Sequence, residues 1–264
     1  MRSLRTTKPN HGFTLVELLV SITIVGMLAG FANAGLQKAI SASHQAVEIS
    51  AGRNMGQALL MYAQENNGSI LTGYLSPQDP SLGQTLNDRG QPLSPSHAAQ
   101  RYPWRLLPYM NSQVRGGVWV NKLKSQIPDA DPYRDYMVSL VPSLGMNDLY
   151  VGGDTRNIQL PGRCITRINR AFSPSSLIVF CSARYEDPNY GKVDGYFEVR
   201  PPTAATFSEN SSPSATGWIH PRYQGKAVTV TLAGTVELLS YEQLKDMRRW
   251  CDEAARQDNP NWTP

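Results

Sequence analysis

The chain has 264 residues, of which 41% are hydrophobic and 17% are charged, and its formal net charge is +4. This composition excludes a polytopic membrane protein and a disordered chain, and the three cysteines exclude a small disulfide-stapled fold. The length predicts one or two domains with a sizeable core. The positive charge suggests a nucleic-acid partner, provided that the charges lie in the folded part of the protein.

The first twelve residues are basic. They contain Arg2, Arg5 and Lys8 and no acidic residue. Removing these three from the 25 Lys and Arg leaves 22, against 21 Asp and Glu, so the rest of the chain has a net charge of only +1. The positive charge therefore belongs mainly to the N-terminal segment, and we predict no nucleic-acid partner.

The next segment is apolar over the length of a membrane. Residues 13–36 contain Glu17 as their only charged residue, and the 20 residues from 18 to 37 are all uncharged. Twenty helical residues extend about 30 Å, which is the thickness of the hydrocarbon core of a bilayer. The basic residues ahead of the segment predict a cytoplasmic N-terminus and a single crossing, with the remaining chain outside.

Two other interpretations of this segment explain less. A buried core helix is disfavoured because the uncharged stretch is so long and follows a basic, acid-free leader. A cleaved secretory signal would use Ala32-Asn33-Ala34 as its cleavage site. That interpretation leaves Glu17 unexplained, although an ionisable group in a membrane segment is costly and usually functional.

The sequence around Glu17 provides a third interpretation. Gly12-Phe13-Thr14-Leu15-Val16-Glu17 resembles the cleavage and methylation motif of type IV prepilins and type II secretion pseudopilins. The resemblance implies that a prepilin peptidase cleaves between Gly12 and Phe13, and that the new amino group of Phe13 is N-methylated. It also implies that Glu17 pairs with the Phe13 ammonium of a neighbouring subunit. In a low-dielectric environment this pair would set the register of subunit assembly.

The apolar stretch continues into an amphipathic helix over residues 37–68. Its predicted apolar face comprises Ile40, Val47, Ala51, Met55, Ala58, Leu59 and Tyr62, which recur at helical spacing. Glu48 belongs to the predicted polar side, and Gly52 and Gly56 are predicted weak points of the helix. Asn66-Asn67-Gly68 predicts its end.

The remaining chain predicts an α+β head over residues 69–264. Residues 70–135 are rich in turn signals, with a short helix expected near 104–107 and a short strand at 118–120. Residues 136–163 also look irregular. Strands are predicted at 177–181 and 196–199, a hairpin turns at Ala233-Gly234, and Ser240 with Gln243 predicts a capping box for one last helix. The fold class is therefore α+β and pilin-like: a long N-terminal helix, transmembrane in its first half, packed on an antiparallel sheet.

Three further blocks resemble pilin-like proteins of planctomycete and verrucomicrobial type. They are residues 54–68, 104–110 and 220–250. In the last block Ala233 takes the place of the family's aspartate. Because alanine adopts positive φ poorly, the geometry of that turn is left open.

The chain contains no recognisable catalytic or metal motif, so we predict a protein that is not an enzyme and needs no cofactor or metal. Asp129, Asp131, Asp148 and Asp154 are candidate calcium ligands, but they lack an EF-hand pattern and a solvated loop is favoured. Cys164 and Cys181 are the cysteines nearest in sequence and could form a disulfide outside the cytoplasm, and the alternative is buried unpaired cysteines.

The resemblance implies a structural subunit of a type IV pilus-like filament or a type II secretion pseudopilus. Its partners would be prepilin peptidase, other pilin or pseudopilin subunits and the inner-membrane assembly machinery. The subunit would span the inner membrane once before assembly, with its head outside the cytoplasm, and then join an extracytoplasmic filament. The alternatives are a membrane-anchored or exported binding protein that does not polymerise, and a secreted enzyme cleaved after Ala34.

Overall fold

The N-terminal part of the protein is dominated by one helix, α1, which runs Leu15–Glu65 in the computed structural model. The structure describes residues 14–120, 123–156 and 163–263, so the predicted leader lies outside the described residues. A window of α1 has a mean hydropathy of 2.2 and is 0% buried, so by length and composition it can cross a membrane. Contacts divide the chain into two compact units, with the boundary after His44.

The end of α1 is where the sequence predicts it. Asn67 and Gly68 adopt φ values of 54° and 78°, and the Gly68 amide donates to the Ala63 carbonyl at 2.7 Å. This left-handed geometry stops the helix and satisfies one of its last carbonyls. The Asn-Asn-Gly signal is therefore confirmed.

The second unit combines short helices with antiparallel strands. The helices are α2 (Tyr102–Leu106), α3 (Leu123–Gln126), α4 (Arg134–Leu140), α5 (Tyr241–Leu244) and α6 (Asp252–Arg256). The strands are β1 (Leu144–Met146), β2 (Ile178–Ser182), β3 (Arg184–Asp187), β4 (Gly191–Asp194), β5 (Lys226–Thr231) and β6 (Val236–Ser240). Within the described chain, β1, β2, β5 and β6 form an antiparallel sheet in that order, and β3 pairs with β4. The α+β, pilin-like fold class is confirmed.

The residues of α1 that follow Glu48 pack directly on this sheet. A Cβ at Gly52 would lie 3.0 Å from Val230 of β5, and a Cβ at Gly56 would lie 3.1 Å from the backbone of Gly234. The two glycines stand one helical turn apart and let the helix approach the sheet closely. Gly52 and Gly56 are therefore contacts between the helix and the sheet, whereas the sequence predicts that they weaken the helix.

We expect Gly56→Val to lower the free energy of unfolding by about 1–3 kcal/mol, because the added methyl groups overpack the contact with Val230 and Gly234. Urea unfolding of the full chain in detergent micelles, followed by tryptophan fluorescence, measures this change. Gly35→Val is the matched control, since Gly35 is in the same helix and has nothing within 4 Å of its Cβ position. Equal stability of the two variants would contradict the packing role.

The core lies between α1, the sheet and the irregular segment that follows α1. Ala51, Met55, Ala58 and Leu59 of the predicted face are at most 1% exposed, whereas Ile40 and Val47 are 40% and 39% exposed. The prediction for the face is therefore right from Ala51 onward and wrong before it. Aromatic residues complete the core, with Tyr102 and Phe180 at a ring-centroid distance of 5.3 Å and Trp104, Trp119 and Trp250 fully buried.

Several predictions for the head are confirmed, each made from a short continuous stretch of sequence. Residues 177–181 correspond to β2 inside the sheet, the 228–238 hairpin is β5–β6, and the short helix near residue 104 is α2. The turn of the hairpin places its positive φ of 81° at Gly234, so Ala233 avoids that conformation. Ser240 and Gln243 form the predicted capping box.

Four predictions for the head are wrong. Residues 118–120 and 196–199 form only isolated bridges, at Trp119 and Glu198. The last helix is interrupted because Asp246 caps a separate 3-10 turn, Met247–Arg249, and Cys251 is extended. Residues 136–163 contain most of α4 and all of β1, whose three residues are too short for a visible alternation.

Candidate functional site

Of the three N-terminal residues that the motif singles out, the structure describes Glu17. Gly12 and Phe13 lie outside the described residues. Glu17 is in the first turn of α1 and is exposed, as are the apolar side chains around it, for example Leu15 at 83% and Val16 at 71%. The carboxylate therefore lies at the start of an apolar surface that the described chain does not cover.

The Glu17 side chain caps its own helix. The backbone N and Oγ1 of Thr14 donate to Glu17 Oε2 at 3.0 and 2.8 Å, and the Glu17 amide donates to Thr14 Oγ1 at 3.2 Å. This reciprocal pattern is a capping box, and it leaves Oε1 without a hydrogen bond from the described chain. Sequence reasoning missed the motif, although Thr14-x-x-Glu17 is its local signature.

The polar side chains further along the apolar helix are satisfied internally. Ser21 Oγ donates to the Glu17 carbonyl at 2.7 Å, and Thr23 Oγ1 donates to the Val20 carbonyl at 2.8 Å. Hydroxyls that bond back to their own helix need no water partner. These residues are therefore compatible with a hydrocarbon environment.

In the head, Glu48 attaches α1 to the sheet through a buried charge network. It is 2% exposed, which corrects its assignment to the polar side of the helix. Glu48 Oε2 receives hydrogen bonds from Arg222 Nη2 at 2.8 Å and from the Tyr223 hydroxyl at 2.7 Å, and Ser182 Oγ donates to Oε1. Burial, together with the Glu48 charge, raises the pKa of Tyr223, so its hydroxyl remains a donor.

A second buried cluster brings three carboxylates together. One oxygen from each of Asp148, Asp154 and Glu198 lies within 4.8 Å of the others. Arg156 Nη2 contacts all three, at 3.8, 2.9 and 2.7 Å respectively, and Arg200 Nη2 lies 3.1 Å from Glu198. Because a guanidinium already lies among the carboxylates, this arrangement is an internal ion-pair network.

The net charge of this cluster depends on whether the Asp148 carboxyl is protonated. Burial, with the neighbouring Glu198 and Asp154 charges, raises the pKa of Asp148 well above its usual range. Both carboxyl oxygens of Asp148 are buried without a hydrogen-bond partner in the described structure. A protonated Asp148 leaves two carboxylates facing two guanidiniums, which balances the charge among these five groups.

We expect Asp148→Asn to stabilise the protein at neutral pH. An acid whose folded-state pKa is raised binds its proton more tightly in the native state, so the stability of the wild type falls as pH rises above about 3.9, the unfolded value, towards the folded pKa. Each tenfold gain in proton affinity on folding corresponds to about 1.4 kcal/mol. The urea midpoint should change less between pH 5 and pH 8 for the variant than for the wild type. If the midpoints of the two proteins depend equally on pH, the Asp148 carboxyl is not protonated in the folded state.

The four aspartates considered as calcium ligands do not meet at one site. Asp148 and Asp154 join the cluster with Glu198. Asp129 instead pairs with Arg115 at 2.9 Å, and Asp131 accepts a hydrogen bond from the Tyr133 amide at 2.8 Å. Sequence reasoning missed Glu198, because its contribution depends on long-range packing that no local spacing shows.

The three cysteines are free thiols in the structure. Cys181 is fully buried inside β2, whereas Cys164 lies in a loop beside the bridge between Val151 and Ile165. Burial raises the pKa of Cys164 to about 12, so its thiol stays protonated and unreactive at neutral pH.

Comparison with known proteins gives one match. Residues 7–33 match the family model described as a prokaryotic N-terminal methylation motif. No curated protein and no solved structure matches the chain. The matched residues include the predicted cleavage site, Glu17 and the first part of the apolar helix.

The fold and this segment together define the class of protein. A long helix, apolar in its first part, precedes an antiparallel sheet, and the methylation motif stands at its start. The protein is type IV pilin- or pseudopilin-like. The motif supports a pilin-like substrate of prepilin peptidase, a structural protein anchored in a membrane by its N-terminal helix.

Proposed function

We propose that the protein is a structural subunit of a type IV pilus-like filament or a type II secretion pseudopilus. The observation that carries this proposal is the methylation motif at residues 7–33, directly ahead of a helix whose apolar window is unburied. An apolar helix surface of this length requires either lipid or other subunits around it. Membrane insertion surrounds the helix with lipid, and assembly then surrounds it with other subunits.

The proposed sequence of events begins at the inner membrane. The basic leader keeps the N-terminus in the cytoplasm, and the head folds outside it. Prepilin peptidase cleaves between Gly12 and Phe13, and Phe13 is N-methylated. The assembly machinery of the inner membrane then moves the subunit into a filament of pilin or pseudopilin subunits. The methyl group comes from a donor bound by the methylating enzyme, so we assign no cofactor or metal to this chain and no enzymatic role to the head.

Glu17 is proposed to direct assembly. Thr14 holds Oε2 through two hydrogen bonds, and Oε1 accepts none from the described chain. The ammonium of Phe13 in a neighbouring subunit can therefore approach Oε1 without breaking the capping box. The capping box orients the carboxylate before the partner arrives, which lowers the entropy cost of pairing.

Mass spectrometry of the protein purified from cells with a prepilin peptidase tests the processing step. The expected N-terminus is N-methylated Phe13. A mature chain that begins at Gly35 would contradict the proposal and support a cleaved secretory signal. An uncut Met1 would favour the membrane-anchored binding protein that does not polymerise.

We expect Glu17→Ala to leave cleavage intact and to abolish filament assembly, because the carboxylate that pairs with Phe13 is lost. Thr14→Ala is the matched control: it removes the two capping hydrogen bonds of the Thr14 hydroxyl, which stabilise a helix by about 1 kcal/mol, and keeps the carboxylate. Filament yield is measured by electron microscopy and by sedimentation of sheared filaments. Normal yield from Glu17→Ala, or equal losses in both variants, would contradict the pairing role.

A further inference from the structure

A cavity of about 690 Å³ opens in the head beside the C-terminal end of α1. Its size is within the range of small-molecule binding sites, about 300–1,000 Å³. The lining combines aromatic rings, polar side chains and one buried cation. The residues that matter to the argument are Tyr62, Asp79, Gln84, Arg105, Tyr109 and Ser112.

The cation is Arg105, which lies just after the middle of α2. Its Nη2 donates to the carbonyls of Thr72 at 2.7 Å and Gln100 at 3.1 Å, and its Nε donates to the carbonyl of Ala99 at 3.0 Å. Its Nη1 makes no hydrogen bond within the described chain and is not among the buried unpartnered atoms, so solvent reaches it. Carbonyl groups satisfy the Nε and Nη2 donors of Arg105, but they do not neutralise its charge.

Arg105 differs from other buried arginines of the head because it makes no contact ion pair with a carboxylate of the described chain. Arg134, Arg184 and Arg222 each contact a carboxylate, at 2.6, 2.8 and 2.8 Å. Arg105 has no such ion pair with any described residue. Burial lowers the pKa of Arg105 to about 10, so the group remains charged at neutral pH. The Asp79 charge acts on Arg105 through space without contacting it, so the guanidinium can still form a contact ion pair with the anionic group of a ligand.

The remaining lining suits a ring that carries hydroxyl groups. Tyr62 and Tyr109 stand edge to face at a centroid distance of 5.6 Å and give the wall a partly apolar surface. The Asp79 carboxylate uses Oδ1 to accept from the Ser81 amide at 2.9 Å, and its Oδ2 accepts nothing in the described chain. The side chains of Gln84 and Ser112 likewise make no hydrogen bond there, so amide, hydroxyl and carboxylate groups face the cavity unpaired.

The balance of charge indicates which anion fits. Arg105 supplies one positive charge, while Asp79 contributes a negative charge to the same cavity and Asp88 is already paired with Arg134. Asp79 repels any anion in the cavity, but a phosphate dianion would meet about twice the repulsion that a single carboxylate meets, and the one charge of a carboxylate matches that of Arg105. Hydroxyl groups on the same ligand would donate to Asp79.

We propose that this cavity binds a saccharide that carries a carboxylate, with the carboxylate on Arg105 and ring hydroxyls on Asp79, Gln84 and Ser112. Such a ligand belongs either to an acidic polysaccharide outside the cell, built from hexuronates, or to cell-wall glycan whose N-acetylmuramic acid has lost its peptide and therefore bears a free carboxylate. The chemistry that Arg105 recognises is the same in both. The site lies in the head and does not depend on whether the protein polymerises.

Calorimetry on the full chain in detergent micelles tests the proposal with D-glucuronate, D-glucose and acetate. We expect glucuronate to bind at least about tenfold more tightly than glucose or acetate, because only glucuronate engages both Arg105 and the hydroxyl acceptors. Galacturonate trimers and N-acetylmuramic acid then distinguish the two sources by which of them binds more tightly. Equal affinity for acetate and glucuronate, or for glucose and glucuronate, would overturn the assignment, as would the absence of glucuronate binding.

Variants of the cavity test whether glucuronate binds there. Arg105→Lys keeps a positive charge and loses most of the guanidinium donors, so glucuronate affinity should fall about tenfold or more. Because Arg105 also organises nearby backbone carbonyls, Gln84→Ala provides a second variant on an exposed side chain, with an expected loss of about threefold or more. Arg167→Gln is the matched control at an exposed arginine outside the cavity. Unchanged affinity in both cavity variants, or an equal loss in the control, would overturn the site.

Discussion

Glu48→Ala should lower the free energy of unfolding by about 3–5 kcal/mol, which is the cost of leaving one partner of a buried ion pair alone. The variant removes the carboxylate that Arg222 and Tyr223 contact at 2.8 and 2.7 Å, and it leaves the buried Arg222 charge with only the more distant Asp194 carboxylate, at 3.9 Å. It also removes the acceptor of the Ser182 hydroxyl in β2. Urea unfolding of the full chain in detergent micelles measures the loss.

Two comparisons separate the ion pair from general damage to the helix. Arg53→Ala changes an exposed charged residue of the same helix and should cost no more than about 0.5 kcal/mol. The double variant Glu48→Leu with Arg222→Met replaces both charges and should recover much of the stability, because no buried charge is left unpaired. A double variant as unstable as the sum of its single changes would contradict the coupling.

Gly12→Val should block processing, so that uncleaved precursor accumulates in the membrane and no mature subunit forms. The motif requires an extended backbone to enter the protease cleft, and a β-branched side chain at the scissile bond obstructs that approach. The full 12-residue leader would then remain on the chain. Immunoblotting of the membrane fraction, with intact-mass measurement, distinguishes the precursor from the mature form.

The matched control is Gly26→Val, which changes a glycine of the same apolar helix with nothing within 4 Å of its Cβ position. This variant should be cleaved normally, because Gly26 lies well beyond the scissile bond. Mature protein in normal amounts from Gly12→Val would refute the assignment of the cleavage site. Failure of both variants would indicate poor membrane insertion and would equally count against a specific role of Gly12.

Some features of the head were accessible from sequence because their interactions are local. The Asn67-Gly68 helix end, the turn at Gly234 and the Ser240–Gln243 capping box each depend on residues no more than about five positions apart. The short strands β1, β3 and β4 escaped prediction because three or four residues carry too little alternation to register as a pattern. β1 pairs with the distant strand β2, whereas β3 and β4 pair with each other across a short turn, so pairing decides whether such segments become strands.

The sequence by itself determined the class of protein, since the basic leader, the methylation motif and the apolar helix are all continuous in the chain. Only the tertiary structure decided which charges are buried and what they face. Glu48 meets Arg222 across 174 positions, Asp148 meets Glu198 across 50, and Arg105 donates to backbone carbonyls and makes no contact ion pair with the described chain. The physical reason is that desolvation and ion pairing depend on distances in space, which the spacing of residues along the chain does not contain.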